Sequence, residues 1–131
     1  MSTDIAHLFN PFAAHLALQV ESAADGRCRS TLQVAPYHLN PHGVVHGAVL
    51  FALADTSMGH ALYTRLAPGQ SCTTIELKIN FLAAGRTNRI VCDSEVLRVG
   101  RTVAHLESRL YAAEQLLATV SGHFAILAPR G

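Results

Sequence analysis

The sequence predicts an α+β fold in which one long central helix is wrapped by an antiparallel sheet of five to six strands. The first observation is an almost wholly apolar run from Gly47 to Arg65, interrupted by no breaker except Gly59. A helix that is apolar almost all round has to be enclosed rather than laid on a surface. The second observation is the order of elements, because the strands after this run follow one another without helices between them. A doubly wound fold needs such helices, so twisted antiparallel strands around the long helix are favoured.

Periodicity and turn residues place the individual elements. The predicted elements are a short helix at Thr3–Phe9, strands at His15–Glu21 and Cys28–Val34, the long helix Gly47–Arg65, and strands at Thr73–Leu82, Ile90–Val99, Thr102–Tyr111 and Leu116–Leu127. Asn10-Pro11 is expected to end the first helix. The third strand has the cleanest alternation, with Ile75 and Leu77 on its buried face. The segment from Pro36 to Val45 is predicted to be a loop.

Length and composition limit the class of protein. The 131 residues predict one domain spanning 1–131, large enough to bury a core without disulfides or metal. Half of the residues are hydrophobic and only 15% are charged, which favours a surface partly covered by another subunit. A net charge of +1 argues against a nucleic-acid binder.

The expected location is the cytoplasm. The segment MSTDIAHLF has no basic region and predicts no secretory signal. His46, Asp55 and His60 interrupt the central run, so no membrane span is predicted. The three cysteines, an odd number without CxxC spacing, are expected to be reduced thiols in the core.

Asp55 is the first functional signal, because it lies in the middle of the apolar run. Removing an ionised carboxylate from water costs several kcal/mol unless the group is paired or hydrogen-bonded. A mid-helix aspartate is sometimes a structural residue bonded to a loop. Its combination with the residues that precede the helix favours a functional role.

Those preceding residues form a spaced motif. Asn40 is followed by Gly43, then by His46-Gly47, and Asp55 comes nine residues after the histidine. With this motif, Gly26 in the first hairpin, the Gly100-Arg101 turn and the strand order, the sequence resembles the hotdog-fold thioesterases, and within them the PaaI-like acyl-CoA thioesterases of the phenylacetate-degradation type. Ala48 departs from that pattern, since the family usually has a second glycine there. The turn at Ala113-Glu114-Gln115 also lacks the glycine common in the family.

The chemistry expected of these residues is thioester hydrolysis. Backbone N–H groups at a helix start lack intrahelical partners, so the amides of His46 and Gly47 are available, and that of Gly47 can polarise a thioester carbonyl. Asp55 can attack directly or activate water, and the sequence leaves both roles open. Asn40 can orient the water or the carbonyl. The resemblance implies a site shared between two subunits, and it implies a role for Thr74, with Thr73 as the alternative register.

Several of these residues also have structural interpretations. Asn40 fits a turn, His46 a structural imidazole, and Thr74 an ordinary strand position. Guanidinium groups suit the phosphates of coenzyme A, although single surface arginines are usually only solvated. The arginines considered for that role are Arg86, Arg89, Arg98 and Arg101. His38, His42 and His46 have the spacing of metal ligands on a helix, but Pro41 and Gly43 argue against that helix, so no metal is predicted.

Three functions compete at this stage. The favoured one is an enzyme that hydrolyses acyl- or aryl-coenzyme A, with no cofactor. One alternative is a hotdog hydratase or dehydratase. The other is a non-catalytic acyl-CoA binding module, and the presence of Asp55 disfavours this module. The resemblance implies a homo-oligomer, with a dimer of dimers favoured, and the acyl group stays open.

Overall fold

The computed structural model describes residues 10–129, which form one antiparallel sheet, one long helix and two short helical segments. The elements are α1 (Pro11–His15), β1 (Leu18–Ala24), β2 (Arg27–Gln33), α2 (Gly47–Tyr63), β3 (Ser71–Phe81), β4 (Arg89–Val99), β5 (Val103–Ala112) and β6 (Gln115–Leu127), with a 3-10 turn at Pro36–His38. The strand order is β1-β2-β4-β5-β6-β3, and each neighbouring pair is antiparallel. The predicted long helix wrapped by a six-stranded antiparallel sheet is confirmed.

The start of the chain differs from the prediction. The helix expected at Thr3–Phe9 lies outside the described residues. Asn10-Pro11, expected to end a helix, begins α1 instead, because the Asn10 Oδ1 accepts a hydrogen bond from the Ala13 N–H at 3.0 Å. An N-cap asparagine followed by proline at the first helical position is a start signal. The first strand consequently begins at Leu18, three residues later than expected.

The core lies between α2 and the concave face of the sheet. Leu53, Met58 and Leu62 of α2 are fully buried against Leu32, Leu106 and other residues of the strands. Several buried residues between the sheet and the helix are small. They are Cys28, Ser30, Cys92, Ser94 and Ser108 of the sheet and Ser57 of α2. Small side chains let the helix approach the sheet closely, and the buried hydroxyls find local partners, such as the 2.6 Å contact between Ser94 and Ser108.

Two β-bulges change which residues face the helix. In β3 the register shifts between Thr74 and Glu76, so Ile75 has no cross-strand partner and is 55% exposed rather than buried. In β4 the shift falls between Val96 and Arg98, and Leu97 is 51% exposed. A bulge adds one residue to a strand and re-aims the side chains beyond it. The strict alternation predicted for β3 was therefore wrong at Ile75.

The sheet has two open edges. Within residues 10–129, strand β1 pairs with β2 alone, and the 11-residue β3 pairs with β6 alone. An unpaired edge presents backbone N–H and C=O groups that can pair with another chain. No helix within residues 10–129 combines the length and apolar character needed to span a bilayer.

Candidate active site

Asp55 lies on the exposed edge of α2 and is held by the neighbouring strand. The Thr74 hydroxyl donates a hydrogen bond to the Asp55 Oδ1 at 2.7 Å. The bulge at Ile75 puts Thr74, rather than Thr73, on the face of β3 that meets the helix. Asp55 is only half-buried, although the preceding Leu53 and Ala54 are fully enclosed. The carboxylate is thus oriented by one hydroxyl and still reaches the surface.

A cleft of about 500 Å³ opens at Asp55 and Thr74. Its other walls include Gly59, His60 and Tyr63 of α2, Cys72 of β3 and Phe124 of β6. Burial, together with the negative charge of Asp55, raises the pKa of the Cys72 thiol to about 11. The sequence had predicted that all three cysteines lie in the core. Cys28 and Cys92 are buried there, but Cys72 lines the cleft.

His60 and Tyr63 are cleft residues that the sequence reasoning missed. The His60 Nδ1 lies 2.9 Å from the Thr56 carbonyl oxygen, which can only accept, so Nδ1 carries a proton and donates it to this bond. The available signal was helical spacing, because Gly59 and Tyr63 follow Asp55 at intervals of four residues and share its face of the helix.

The start of α2 supplies a free backbone donor. The His46 Nδ1 caps the helix by accepting from the Ala48 N–H at 2.9 Å, and the His46 N–H donates to the His38 carbonyl at 2.8 Å. The His46 amide, expected to be available, is therefore engaged. The Gly47 N–H, at the first helical position, has no acceptor among residues 10–129. A methyl group at position 47 would lie 2.9 Å from the Phe81 ring, so the absence of a side chain lets this aromatic ring reach the helix start.

Asn40 organises the loop that leads to this helix. Its Oδ1 accepts from the His42 N–H at 2.9 Å and from the Val44 N–H at 3.4 Å. Gly43 has a φ of +75°, a left-handed conformation that suits glycine, and its N–H bonds to the Asn40 carbonyl. The turn role considered for Asn40 is real. Its Nδ2 group nevertheless has no hydrogen-bond partner in the part of the chain that the structure describes.

The three histidines with metal-like spacing do not share a helix. The His38 ring is buried, with Nδ1 accepting from the Ala35 N–H and Nε2 donating to the Leu16 carbonyl. His42 is exposed in the loop, and His46 caps α2. Between residues 10 and 129, no three potential ligands of the His, Cys, Asp or Glu type gather into a metal site.

The four candidate arginines separate into two groups. Arg86 is exposed in the loop before β4, and Arg89 begins that strand, where its guanidinium lies 3.8 Å from the Glu21 carboxylate. Arg98 and Arg101 instead line a common cleft at the turn between β4 and β5. The structure therefore does not gather all four around one ligand.

Comparison with known proteins identifies the family. The model of the thioesterase superfamily matches residues 42–119, a range that includes His46, Gly47, Asp55 and Thr74. The chain belongs to the thioesterase superfamily. A protein of Pseudomonas aeruginosa named as a candidate esterase, PA0474, is 31% identical over 94 residues, which cover 71% of this chain and 70% of that protein.

Solved structures of this superfamily and its neighbours share the fold. The conserved protein PA5202 of Pseudomonas aeruginosa superimposes with a TM-score of 0.91 at 29% identity, over 95% of this chain and 100% of that one. The E. coli PaaI protein from the phenylacetic acid degradation operon gives a TM-score of 0.85 at 22% identity, over 94% and 88% of the two chains. The hotdog fold and the resemblance to PaaI-like thioesterases are confirmed.

Proposed function

We propose that this thioesterase hydrolyses acyl- or aryl-coenzyme A thioesters to the free acid and coenzyme A. The observation that carries the proposal is the Asp55 carboxylate, oriented by the Thr74 hydroxyl at 2.7 Å and open to a cleft of about 500 Å³. A carboxylate in that position can deprotonate a water or attack the thioester carbon itself. Both routes break the carbon–sulfur bond and release a thiol.

The Gly47 amide is the proposed donor to the thioester oxygen. Negative charge develops on that oxygen as the carbonyl carbon is attacked, and a preorganised N–H at the positive end of a helix stabilises it. The Asn40 Nδ2 is a second donor near the start of the same helix. The Oδ1 of Asn40 accepts two backbone hydrogen bonds within the loop, and these bonds hold the Nδ2 group in a defined orientation.

We infer that two subunits complete each site. Gly47 and Asp55 are eight residues apart on one helix, which separates them by about 12 Å along its axis. One thioester carbonyl cannot meet both groups of a single chain at bonding distance. The open edge of β3 and the exposed side chains of Ile75 and Phe81 offer a surface that a second copy of the chain can cover.

The direct test is thiol release from a panel of acyl- and aryl-CoA esters. Asp55→Asn keeps the size of the side chain and its contact with Thr74, and we expect it to lower turnover by roughly 10² or more, the scale of losing a base or nucleophile. Asp93→Asn is the matched control, because Asp93 is a carboxylate on the outer sheet face, bonded to Arg29 at 2.7 Å. Turnover by Asp55→Asn within a few-fold of the parent protein would remove Asp55 from the mechanism.

The contribution of the Thr74 hydroxyl can be separated from that of the side-chain volume. Thr74→Val keeps the volume and removes the hydroxyl that bonds Asp55, whereas Thr74→Ser keeps the hydroxyl. We expect Thr74→Val to lower kcat by about 10-fold, comparable to losing one hydrogen bond to a charged group, and Thr74→Ser to retain most activity. Equal activity of the two variants would show that the hydroxyl does not matter.

A further inference from the structure

The buried imidazole of His38 joins two segments that lie far apart in the sequence. Its ring is fully buried, its Nδ1 accepts a hydrogen bond from the Ala35 N–H at 2.9 Å, and its Nε2 lies 2.7 Å from the Leu16 carbonyl oxygen. A backbone N–H can only donate and a carbonyl can only accept, so Nδ1 is unprotonated and Nε2 carries the proton. The ring is therefore a neutral imidazole in one tautomer, with both of its nitrogens bonded.

The main chain of the same residue closes the base of a short hairpin that leads into α2. The His38 carbonyl accepts from the His46 N–H, and the Asn40 N–H donates across the same hairpin, both at 2.8 Å. An antiparallel bridge joins the two arms between these bonds. We call residues 38–46 the donor hairpin, because this segment carries the Asn40 Nδ2 and leads directly to the Gly47 N–H, the two proposed donors.

The donor hairpin depends on its base for support. Its tip, residues 41–43, is exposed, so packing does not hold it there. The Val45 N–H donates to the Gly85 carbonyl in the loop before β4, at 3.2 Å. The two bonds of the His38 ring are shorter, and they reach the segment between α1 and β1 and the residue that follows β2 by two. The ring therefore fixes the base of the hairpin against two separate parts of the fold.

We propose that His38 is a positioning residue, whose neutral ring holds the donor hairpin so that the Asn40 Nδ2 and the Gly47 N–H keep one geometry. The proposal deepens the proposed function and rests on it, because these two groups are its donors to the thioester oxygen. Donors that are already in place stabilise the developing charge without reorganisation during the reaction. A displacement of about 1 Å by a change away from the chemistry can cost roughly 10²-fold in rate.

Kinetics of variants at position 38 test this role. His38→Met removes both ring bonds and fills the space with a flexible apolar side chain. We expect it to lower kcat by about 10-fold or more with KM changed by less than about twofold, because the donors act on charge that develops in the transition state. An unchanged kcat, or a change confined to KM, overturns the proposal.

Conservative replacement provides the rescue. The amide of His38→Gln offers an acceptor and a donor on one side chain, as the neutral imidazole does, so this variant should retain most of the parent kcat. His38→Asn has a shorter reach and should fall below His38→Gln, which keeps the test available if the methionine variant does not fold. Equal kcat of the glutamine and methionine variants, or of the asparagine variant and the parent protein, contradicts the role of the ring bonds.

Thr64 provides the matched control, because its hydroxyl also joins two segments through two hydrogen bonds. It accepts from the Gly26 N–H and donates to the Ala61 carbonyl, both at 2.7 Å. Thr64 follows the last residue of α2, 17 positions after Gly47, or about 26 Å along the helix axis. Thr64→Val should lower the free energy of unfolding, as His38→Met does, and leave kcat unchanged. Equal loss of kcat in the two variants would assign the effect to general destabilisation and overturn the positioning role.

Amide hydrogen exchange distinguishes failure of this role from failure of the proposed function, because it needs no turnover. In His38→Met the amides of His42, Val44 and His46 should exchange about 10-fold faster than in the parent protein, whereas Thr64→Val should leave them unchanged. Unchanged exchange in His38→Met overturns the positioning role even if kcat falls. Absence of hydrolysis by the parent protein overturns the proposed function, and the exchange rates then still decide whether His38 holds the donor hairpin.

Discussion

At the scale of single residues, the cleft is organised by one carboxylate and the groups that respond to it. Burial and, after it, the negative charge of Asp55 raise the pKa of Cys72, and Thr74 orients Asp55, so three side chains from α2 and β3 are linked. The linkage makes Cys72 a reporter of the Asp55 charge. The raised pKa also predicts that this thiol is a poor nucleophile at neutral pH.

We predict that Asp55→Asn makes Cys72 react with iodoacetamide at lower pH. With its pKa raised to about 11 by burial and by the Asp55 charge, the parent thiol should be modified slowly at pH 8 and faster as the pH approaches 10. Removing the negative charge lowers the pKa, so the whole profile should shift toward acid. Mass spectrometry of the Cys72 peptide gives the rates, and Cys72→Ser is the control because the other two thiols are buried. An unchanged profile would mean that the thiol does not sense Asp55.

The sequence was sufficient to single out these candidate residues but not to say which of their atoms are free. Asp55 was singled out because an aspartate inside an apolar helix is costly, and Thr74 came only as a resemblance with Thr73 as its rival. The bulge at Ile75 decides which of the two threonines meets the helix, and nothing in the strand's own alternation encodes it. The engagement of the His46 amide by the His38 carbonyl likewise depends on a tertiary contact between loop and helix.

At the scale of elements, periodicity predicted the long helix and five of the strands to within about two residues, and the first strand was misplaced by three at its start. The failures fall where local chemistry competes with periodicity. At Asn10 an N-cap was taken for a helix stop, and at Ile75 and Leu97 a bulge interrupts the alternation. Bulges depend on the partner strands, so a single strand's sequence carries no direct signal for them.

Two glycines, Gly59 at the cleft wall and Gly122 in the core, should respond to alanine with opposite signs. Gly59 is inside α2, and a methyl group there would meet only the Phe124 ring, at 4.0 Å. Gly59→Ala should therefore raise the free energy of unfolding by about 1 kcal/mol, the propensity difference between the two residues in a helix. A methyl group at Gly122 of β6 would overlap Leu77 and come within 3.2 Å of the Met58 sulfur. Gly122→Ala should lower the same quantity by about 1–3 kcal/mol.

Urea unfolding at one fixed protein concentration gives both values, because stability of an oligomer depends on concentration. Each glycine serves as the other's control. If both variants lose stability, the space beside Gly59 is filled by something beyond this chain, as a partner subunit at the cleft would do.

At the scale of the whole molecule, one chain presents two halves of the proposed site that cannot meet. The donor half is Gly47 with Asn40 at the helix start, and the carboxylate half is Asp55 with Thr74, about 12 Å further along the helix axis. The sequence could supply both halves through the motif spacing. Their separation in one chain also follows from the sequence, because the two residues are eight positions apart on the predicted helix.

The shared site predicts that two inactive variants restore activity when mixed. Asn40→Asp keeps an oxygen for the His42 and Val44 amides, so the loop should persist, and it replaces the Nδ2 donor with a charged carboxylate oxygen. Asp55→Asn is its partner variant. If the two residues serve one site from opposite subunits, a mixed dimer has one doubly altered site and one intact site. Random exchange makes about half of the dimers mixed, so activity should recover to about a quarter of the parent value for independent sites and near-inactive variants. Activity is measured before and after co-refolding of equal amounts, with mixed dimers confirmed by mass. Mixed dimers without recovery would place both residues in one chain's site or remove Asn40 from it.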